Sequence, residues 1–309
     1  MHLFKKLAKA FMIILLAAVT GFALAGCGGS GASSSSAKAP AAGAAKTPAK
    51  PGDKLIIRML DIGQGDAFLL EKDGKFAMID TGDVEHREAL VKYLHEYGVK
   101  ELSNVIITHP HADHMGGMKA VFDNIKVDNI YDDGVPTNTN TYKTYLKNIK
   151  TKNIPFHIPK AGETIALFDG VDFHVAGPVS EITDQKGRPD LNNNSIVGKL
   201  TYGDFSMLFT GDAEKEEESA ILKSGFDLKS DVLKVGHHGS RTGTTPSFLK
   251  AVAPKEAFIS CGQGNDYSHP HKETMTKLEN AGIHIFRTDR DGTVTLTTDG
   301  STYQIAKEH

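Results

Sequence analysis

Cysteine is nearly missing from this chain. Its 309 residues hold two, Cys27 and Cys261, which excludes a disulfide-rich scaffold and a cysteine-based zinc finger. Long apolar runs are equally scarce. Residues 10–25 form the one such stretch, 16 residues long, so a polytopic membrane protein is excluded. An excess of positive charge is absent too. The formal net charge is -3, which does not fit a globally basic nucleic-acid binder. No G-x-S-x-G elbow occurs, so serine-hydrolase chemistry is not indicated. What remains is ordinary for a soluble globular protein, with 39% hydrophobic and 24% charged residues. The length is roughly two average domains, although α/β architectures of this size often form one.

The modest net charge hides an asymmetry. Residues 1–52 carry six lysines and no acid, and the rest carries 29 basic and 38 acidic residues, a net of -9. Lys5, Lys6 and Lys9 precede the apolar run, which is too short for a comfortable membrane span but fits a signal-peptide core. It ends in Leu24-Ala25-Gly26-Cys27, which resembles a bacterial lipobox. The expectation is a signal peptide over 1–26, diacylation of Cys27, and a flexible Gly/Ser/Ala/Lys/Pro tether over 27–52. The folded part then spans 53–309, extracytoplasmic and lipid-anchored to a bacterial cell membrane. The alternative is an uncleaved anchor helix.

From residue 55 the patterning becomes that of alternating strands and helices. Strands are expected at 55–60, at 67–70 and 76–79 around Asp73-Gly74, at 105–108 and at 130–131. In the second half they are expected at 165–167, 171–176, 195–202, 205–210, 232–235, 257–259, 283–286 and 294–297. Helices are expected at 85–97, 118–122, 142–149, 214–224, 246–252 and 272–281. Thr245 caps the helix at 246–252, and Pro246 takes its first position. Two strand-rich halves with outer helices imply two sheets packed face to face between helical layers.

Seven of the fourteen histidines fall in three tight groups. The strand at 105–108 runs into His109-Pro110-His111-Ala112-Asp113-His114. Three imidazoles and a carboxylate at a strand's end form a metal-ligand arrangement that suits zinc, manganese or iron. Further ligand types recur at other strand ends, in Thr210-Gly211-Asp212 and Gly236-His237-His238-Gly239-Ser240.

His109-x-His111-x-Asp113-His114 resembles the signature of the metallo-β-lactamase superfamily, whose hydrolases have an α/β fold built as an αββα four-layer sandwich. The flanking motifs match more narrowly. Asp61-Ile62-Gly63-Gln64-Gly65-Asp66-Ala67, Ile79-Asp80-Thr81-Gly82, the Asp212 and His237-His238 motifs and Ser268-His269-Pro270-His271 resemble the hydrolase domain of the ComEC DNA-uptake family. The membrane channel of that family has no counterpart in this sequence.

The resemblance implies two divalent metal ions, zinc or manganese. His109 and His111 would bind the first; Asp113, His114 and His237 the second; Asp212 both. His238 is the alternative to His237. Asp113, Asp212 and His269 would take part in catalysis, His269 by touching a phosphate oxygen or protonating a leaving group. Asp61, Gln64, Asp66, Asp80, Asn194, Ser195, His238 and Ser240 would support the ligands or meet substrate. The superfamily usually supplies a third histidine to the first metal. Here that region reads Leu191-Asn192-Asn193-Asn194-Ser195, which leaves an amide oxygen or a water and makes manganese more plausible. His174 and His271 read as structural, and Cys261 as a small buried thiol.

Two cations about 3.5–4 Å apart can generate a hydroxide at neutral pH and neutralise a phosphoryl group. The implied activity is therefore that of a phosphodiesterase or nuclease on DNA, with a part in DNA uptake. Residues 229–290, with nine Lys/Arg against six acids, offer a weakly basic surface near Lys234, Arg241, Lys272, Arg287 and Arg290. A phosphocholine ester or a β-lactam is the alternative substrate. A non-catalytic lipoprotein that binds DNA or a protein partner is the alternative outside enzymology. Lipid modification has its own test. Cys27→Ala should leave the precursor unprocessed or release the protein from membranes; unchanged processing and membrane retention would reject it.

Overall fold

The computed structural model describes residues 53–309, so the expected signal peptide, Cys27 and the whole tether lie outside the described residues. The first half forms β1 (Leu55–Met59), β2 (Ala67–Lys72), β3 (Lys75–Thr81), β4 (Glu101–Leu102), β5 (Asn104–Ile107), β6 (Lys126–Val127), β7 (Ile130–Asp132) and β8 (Phe156–His157). The second forms β9 (Thr164–Phe168), β10 (Val171–Gly177), β11 (Val197–Tyr202), β12 (Phe205–Phe209), β13 (Val232–Lys234), β14 (Glu256–Ile259), β15 (His284–Arg287), β16 (Val294–Thr298) and β17 (Tyr303–Lys307). An eight-stranded sheet runs β17-β16-β1-β2-β3-β5-β7-β8, and a seven-stranded sheet runs β15-β14-β13-β12-β11-β10-β9.

Successive residues of a strand face opposite sides, and the central strands use both sides for burial. In β2, Phe68 and Leu70 pack between the sheets with Phe209, Phe173 and Leu200, while Leu69 turns outward. In β12, Met207 and Phe209 face the intersheet core and Leu208 the other side. Each outer face is covered by helices. Leu90 and Leu94 of α1 (Arg87–Glu96) cover the first sheet with Met115 of α2 (Ala112–Met115), Val121 of α3 (Met118–Asn124) and Tyr145 of α4 (Asn140–Lys152). Ile221 of α5 (Lys215–Ser224), Phe248 of α6 (Pro246–Val252) and Leu278 of α7 (Lys272–Asn280) cover the second. These three cores give the expected αββα sandwich.

The Thr245 cap is present, its hydroxyl accepting from Phe248 N at 3.4 Å. His174 bridges strands, with Nδ1 2.9 Å from Thr164 Oγ1 and Nε2 3.0 Å from Thr201 Oγ1. Five short elements were not legible: β4, β6, β8, α2 and α8 (Thr288–Asp291), each of two to four residues. The C-terminal β17 was missed as well, because its partly exposed Tyr303 and Ile305 are its only large apolar groups.

Strands β12 to β15 run parallel, as do β3, β5, β7 and β8, so their carboxyl ends collect at one edge. That edge is where loops of an open α/β sheet carry function. The intersheet core should dominate stability. Phe68 and Phe209 meet edge to face at 5.1 Å between centroids. Phe209→Ala should cost about 3–5 kcal/mol, read as a lower denaturant midpoint at unchanged slope; a change below about 1 kcal/mol would contradict this packing.

Candidate metal centre

Three loops leaving β5, β12 and β13 build the centre. The first carries His109, His111, Asp113 and His114, and it needs glycine partners. A Cβ on Gly65 would lie 2.5 Å from Asp113 O, and Gly211, at φ +48°, would place one 2.9 Å from Thr108. Asp80, itself left-handed at φ 56°, locks the loop from behind. Its carboxylate accepts from Thr108 N at 2.8 Å and Thr108 Oγ1 at 2.7 Å, and Oδ2 lies 2.8 Å from His114 Nδ1. Asp80 therefore both caps the backbone and orients an imidazole.

Asp212 stands at the middle, almost wholly buried, with its N–H donating to Ser195 Oγ at 3.1 Å. Its two oxygens face different histidines. Oδ1 lies 3.2 Å from His114 Nε2 and 3.6 Å from His238 Nε2. Oδ2 lies 3.7 Å from both His109 Nε2 and His237 Nε2. Asp113 completes the first side, with Oδ2 3.3 Å from His238 Nε2. On the second side His109 Nε2 and His111 Nδ1 are 2.9 Å apart. Asp113, His114, Asp212 and His238 form one group with donor atoms within 4.8 Å of one another, and His109, His111 and Asp212 form another.

The preferred assignment of His237 beside Asp113 and His114 is thus corrected: His238 occupies that place. Both residues are left-handed, at φ 49° and 51°, so the chain turns sharply and sends the two rings to opposite oxygens of Asp212. His237 Nδ1 is held 3.0 Å from Glu214 Oε1, which leaves Nε2 for Asp212. Strand position alone carried no signal for this reversal.

The donor set fits divalent cations. His114 Nε2, His238 Nε2 and Asp212 Oδ1 are buried and make no hydrogen bond, although they face one another. Imidazole and carboxylate are the ligands that borderline metals prefer. Behind them, Asp66 lies 3.4 Å from His238 Nδ1, accepts from Ser260 Oγ and pairs with the buried Lys234 at 2.5 Å. Lys234 therefore balances charge inside the centre and is not part of a basic surface.

The pocket at the mouth encloses about 330 Å³ and is lined by Gln64, Asn192, Tyr267 and His269 besides the cluster. Gln64 Oε1 accepts from Gly262 N at 3.0 Å. Of the asparagines, Asn192 lines the pocket and keeps a buried Oδ1 without a hydrogen bond. Asn194 instead ties the loop to Ile182 and Asp190. Ser240 bonds Thr242, and Asp61 sits beside Glu308, His309 and His86; neither lines the pocket. His271 accepts from Arg241 N at the start of α7, and Cys261 is a buried thiol pushed up to about 12 by burial and Asp289. Asn192, Glu214 and Tyr267 were absent from the expected site, since no motif marks them.

The residues matching the metallo-β-lactamase superfamily model are 60–263. The chain belongs to the metallo-β-lactamase superfamily. It is 32% identical to ComE operon protein 3 of Bacillus subtilis, over 77% of this chain and 32% of that protein. It is 30% identical to competence protein ComA of Neisseria gonorrhoeae, over 79% of this chain and 32% of that protein. It is 33% identical to recombination protein 2 of Haemophilus influenzae, over 71% of this chain and 26% of that protein. The chain thus spans about a third of these relatives or less. Among solved structures, the metallo-β-lactamase fold protein YhfI from Bacillus subtilis matches 82% of this chain and all of its own, with TM-score 0.51 and 11% identity.

The electrostatics divide the histidines. Burial opposes charge on all of them. For His114 the carboxylates of Asp212 and Asp80 outweigh it and raise the pKa well above the usual value; for His238, Asp212 and Asp66 lift it to about 10. For His109 burial and the nearby His114 win, and the ring is held neutral. At pH 7 the metal-free centre therefore stores protons on His114 and His238, and a cation must displace them. Calorimetric titration with Zn²⁺ in buffers of different ionisation enthalpy should show proton release at pH 7 and affinity that falls as pH is lowered. Binding without proton release would contradict it.

Proposed function

We propose that this protein is a metal-dependent phosphodiesterase acting on DNA, held outside the cytoplasm by a lipid on Cys27. The observation that carries the reading is the buried Asp212 carboxylate, which turns one oxygen to each of two imidazole groups. On this reading His109, His111, His237 and Asp212 hold one divalent ion, and Asp113, His114, His238 and Asp212 the other. Such a pair, when bound, supplies a hydroxide nucleophile and neutralises charge on a phosphodiester. The chain's own residues keep the arrangement rigid. Asp80 fixes His114, Glu214 fixes His237, and Asp66 with Lys234 backs His238.

His237 bears on the choice of metal. It faces the same oxygen as His109. If it closes on the ion held by His109 and His111, a third imidazole offsets the donor deficit from which a manganese preference was expected, so zinc and manganese both suit the centre. His269 is the polar group that reaches substrate. Burial and the neighbouring His238 and His237 lower it to about 4, so at neutral pH it is uncharged. It then offers an N–H to a phosphate oxygen and is no reservoir of acid.

DNA is supported by the kinship with competence protein ComA and recombination protein 2, and by the motif match to ComEC hydrolase domains. A role in DNA uptake is part of the proposal. Purified protein with Mn²⁺ or Zn²⁺ should cleave single-stranded DNA and bis(p-nitrophenyl) phosphate and leave a β-lactam intact. Asp212→Ala should lower diester cleavage by at least about a thousandfold, the loss of several kcal/mol of charge stabilisation. Equal cleavage by wild type and this variant, or none by folded, metal-loaded wild type, would overturn the reading.

A further inference from the structure

Exposed large aromatic side chains are uncommon in the described part of the chain, and one of them stands at the pocket. Tyr267 is 64% exposed, the most exposed large hydrophobic side chain among the described residues. Folding gives no reason for leaving such a ring in water. Its ring is nearly parallel to that of His269, with centroids 5.6 Å apart and planes at 20°. His269 in turn lies 6.1 Å from His238 at 27°. Three rings thus form a graded stack from solvent to the group around Asp212, and Tyr267 and His269 both line the pocket.

The loop that carries the outer rings is pinned. Asn265 Oδ1 accepts from Tyr267 N at 3.2 Å and His269 N at 3.0 Å, while its Nδ2 donates to Gly262 O at 2.9 Å and His269 O at 2.7 Å. A single asparagine side chain therefore fixes the Tyr267 backbone relative to the pocket. Preorganisation of this kind lowers the cost of binding.

Charge offers little alternative means of holding a nucleic acid here. None of the residues lining the pocket is lysine or arginine. Of the five basic residues expected near the site loops, four are engaged with acids, Arg241 with Glu273 at 3.4 Å, Arg287 with Asp289 at 2.6 Å, Arg290 with Asp291 at 3.0 Å and Lys234 with Asp66 inside the protein, which leaves Lys272 at the start of α7 as the remaining cation. One lysine is no basic track, so most of the recognition has to come from other groups. An aromatic face accepts any base, and stacking on it is sequence-tolerant.

We infer that Tyr267, stacked on His269, is a nucleobase platform that seats the base next to the scissile phosphodiester. The inference rests on the phosphodiesterase reading and adds the group by which a single strand is recognised. Tyr267 binds substrate and takes no part in the bond-breaking step; its exposed ring touches His269 and is not one of the groups around Asp212.

The test compares wild type, Tyr267→Ala and Tyr267→Phe in the full chain. Each is given 5′-labelled oligothymidylate and an oligomer of abasic deoxyribose phosphates of the same length. Tyr267→Ala should lower kcat/KM on oligothymidylate about tenfold, mainly through KM, and Tyr267→Phe should restore it to within about twofold. The abasic oligomer should be cleaved equally by all three. Binding of oligothymidylate to metal-free protein, followed by anisotropy, should weaken in Tyr267→Ala by a similar factor and vary only shallowly with salt. Unchanged binding and cleavage in Tyr267→Ala would overturn the platform, as would an equal loss on the abasic oligomer. Weakened binding in a protein whose wild type cleaves neither oligomer would keep the platform and overturn the phosphodiesterase reading instead.

Discussion

The centre depends on one carboxylate having two sides. Asp212 is buried at the end of β12, and each oxygen faces a separate pair of imidazole nitrogens at 3.2–3.7 Å. A buried carboxylate without hydrogen bonds to one of its oxygens is costly unless positive charge compensates it. Here compensation comes from protonated imidazoles, and on the proposed reading from divalent cations that replace those protons. The same feature that makes the metal-free centre a store of protons makes it a site for metal.

The fold serves this arrangement by delivering rigid strand ends. Parallel strands in both sheets bring the loops after β5, β12, β13 and β14 to one edge, and the intersheet core holds those strands in register. Further compensation lies behind the ligands. The Ser260 carbonyl and Asp80 orient His238 and His114, Asp66 lies 3.4 Å behind His238, and the buried Lys234 neutralises Asp66. Removing the lysine alone would leave an acid buried beside other acids. Left-handed backbone at Asp80, His237 and His238 is the strain that such an over-determined region can carry.

Much of this was legible before the structure. Period-two alternation and Asp-Gly turns located the long strands, and the clustering of His109, His111, Asp113 and His114 after one strand marked the centre. What escaped were relations that no local pattern encodes. The choice between His237 and His238 turned on two consecutive left-handed residues, which neither residue type announces. Lys234 read as surface charge because a sequence does not show that Asp66 lies against it. Glu214 was hidden among four glutamates, and Asn192 among three asparagines. Asp61 carried a motif's weight yet lies beside Glu308 and His309, because the motif's backbone turn, not that side chain, shapes the site. Tyr267 belongs to no motif; only its exposure and its stacking on His269 single it out.

The most direct measurement is an anomalous-difference map from crystals of the protein grown with manganese, with data collected at the manganese edge. Two peaks are expected, one on each side of Asp212. His238 should approach the ion shared with Asp113 and His114, and His237 the ion shared with His109 and His111. A single peak, or ions bound away from Asp212, would contradict the account.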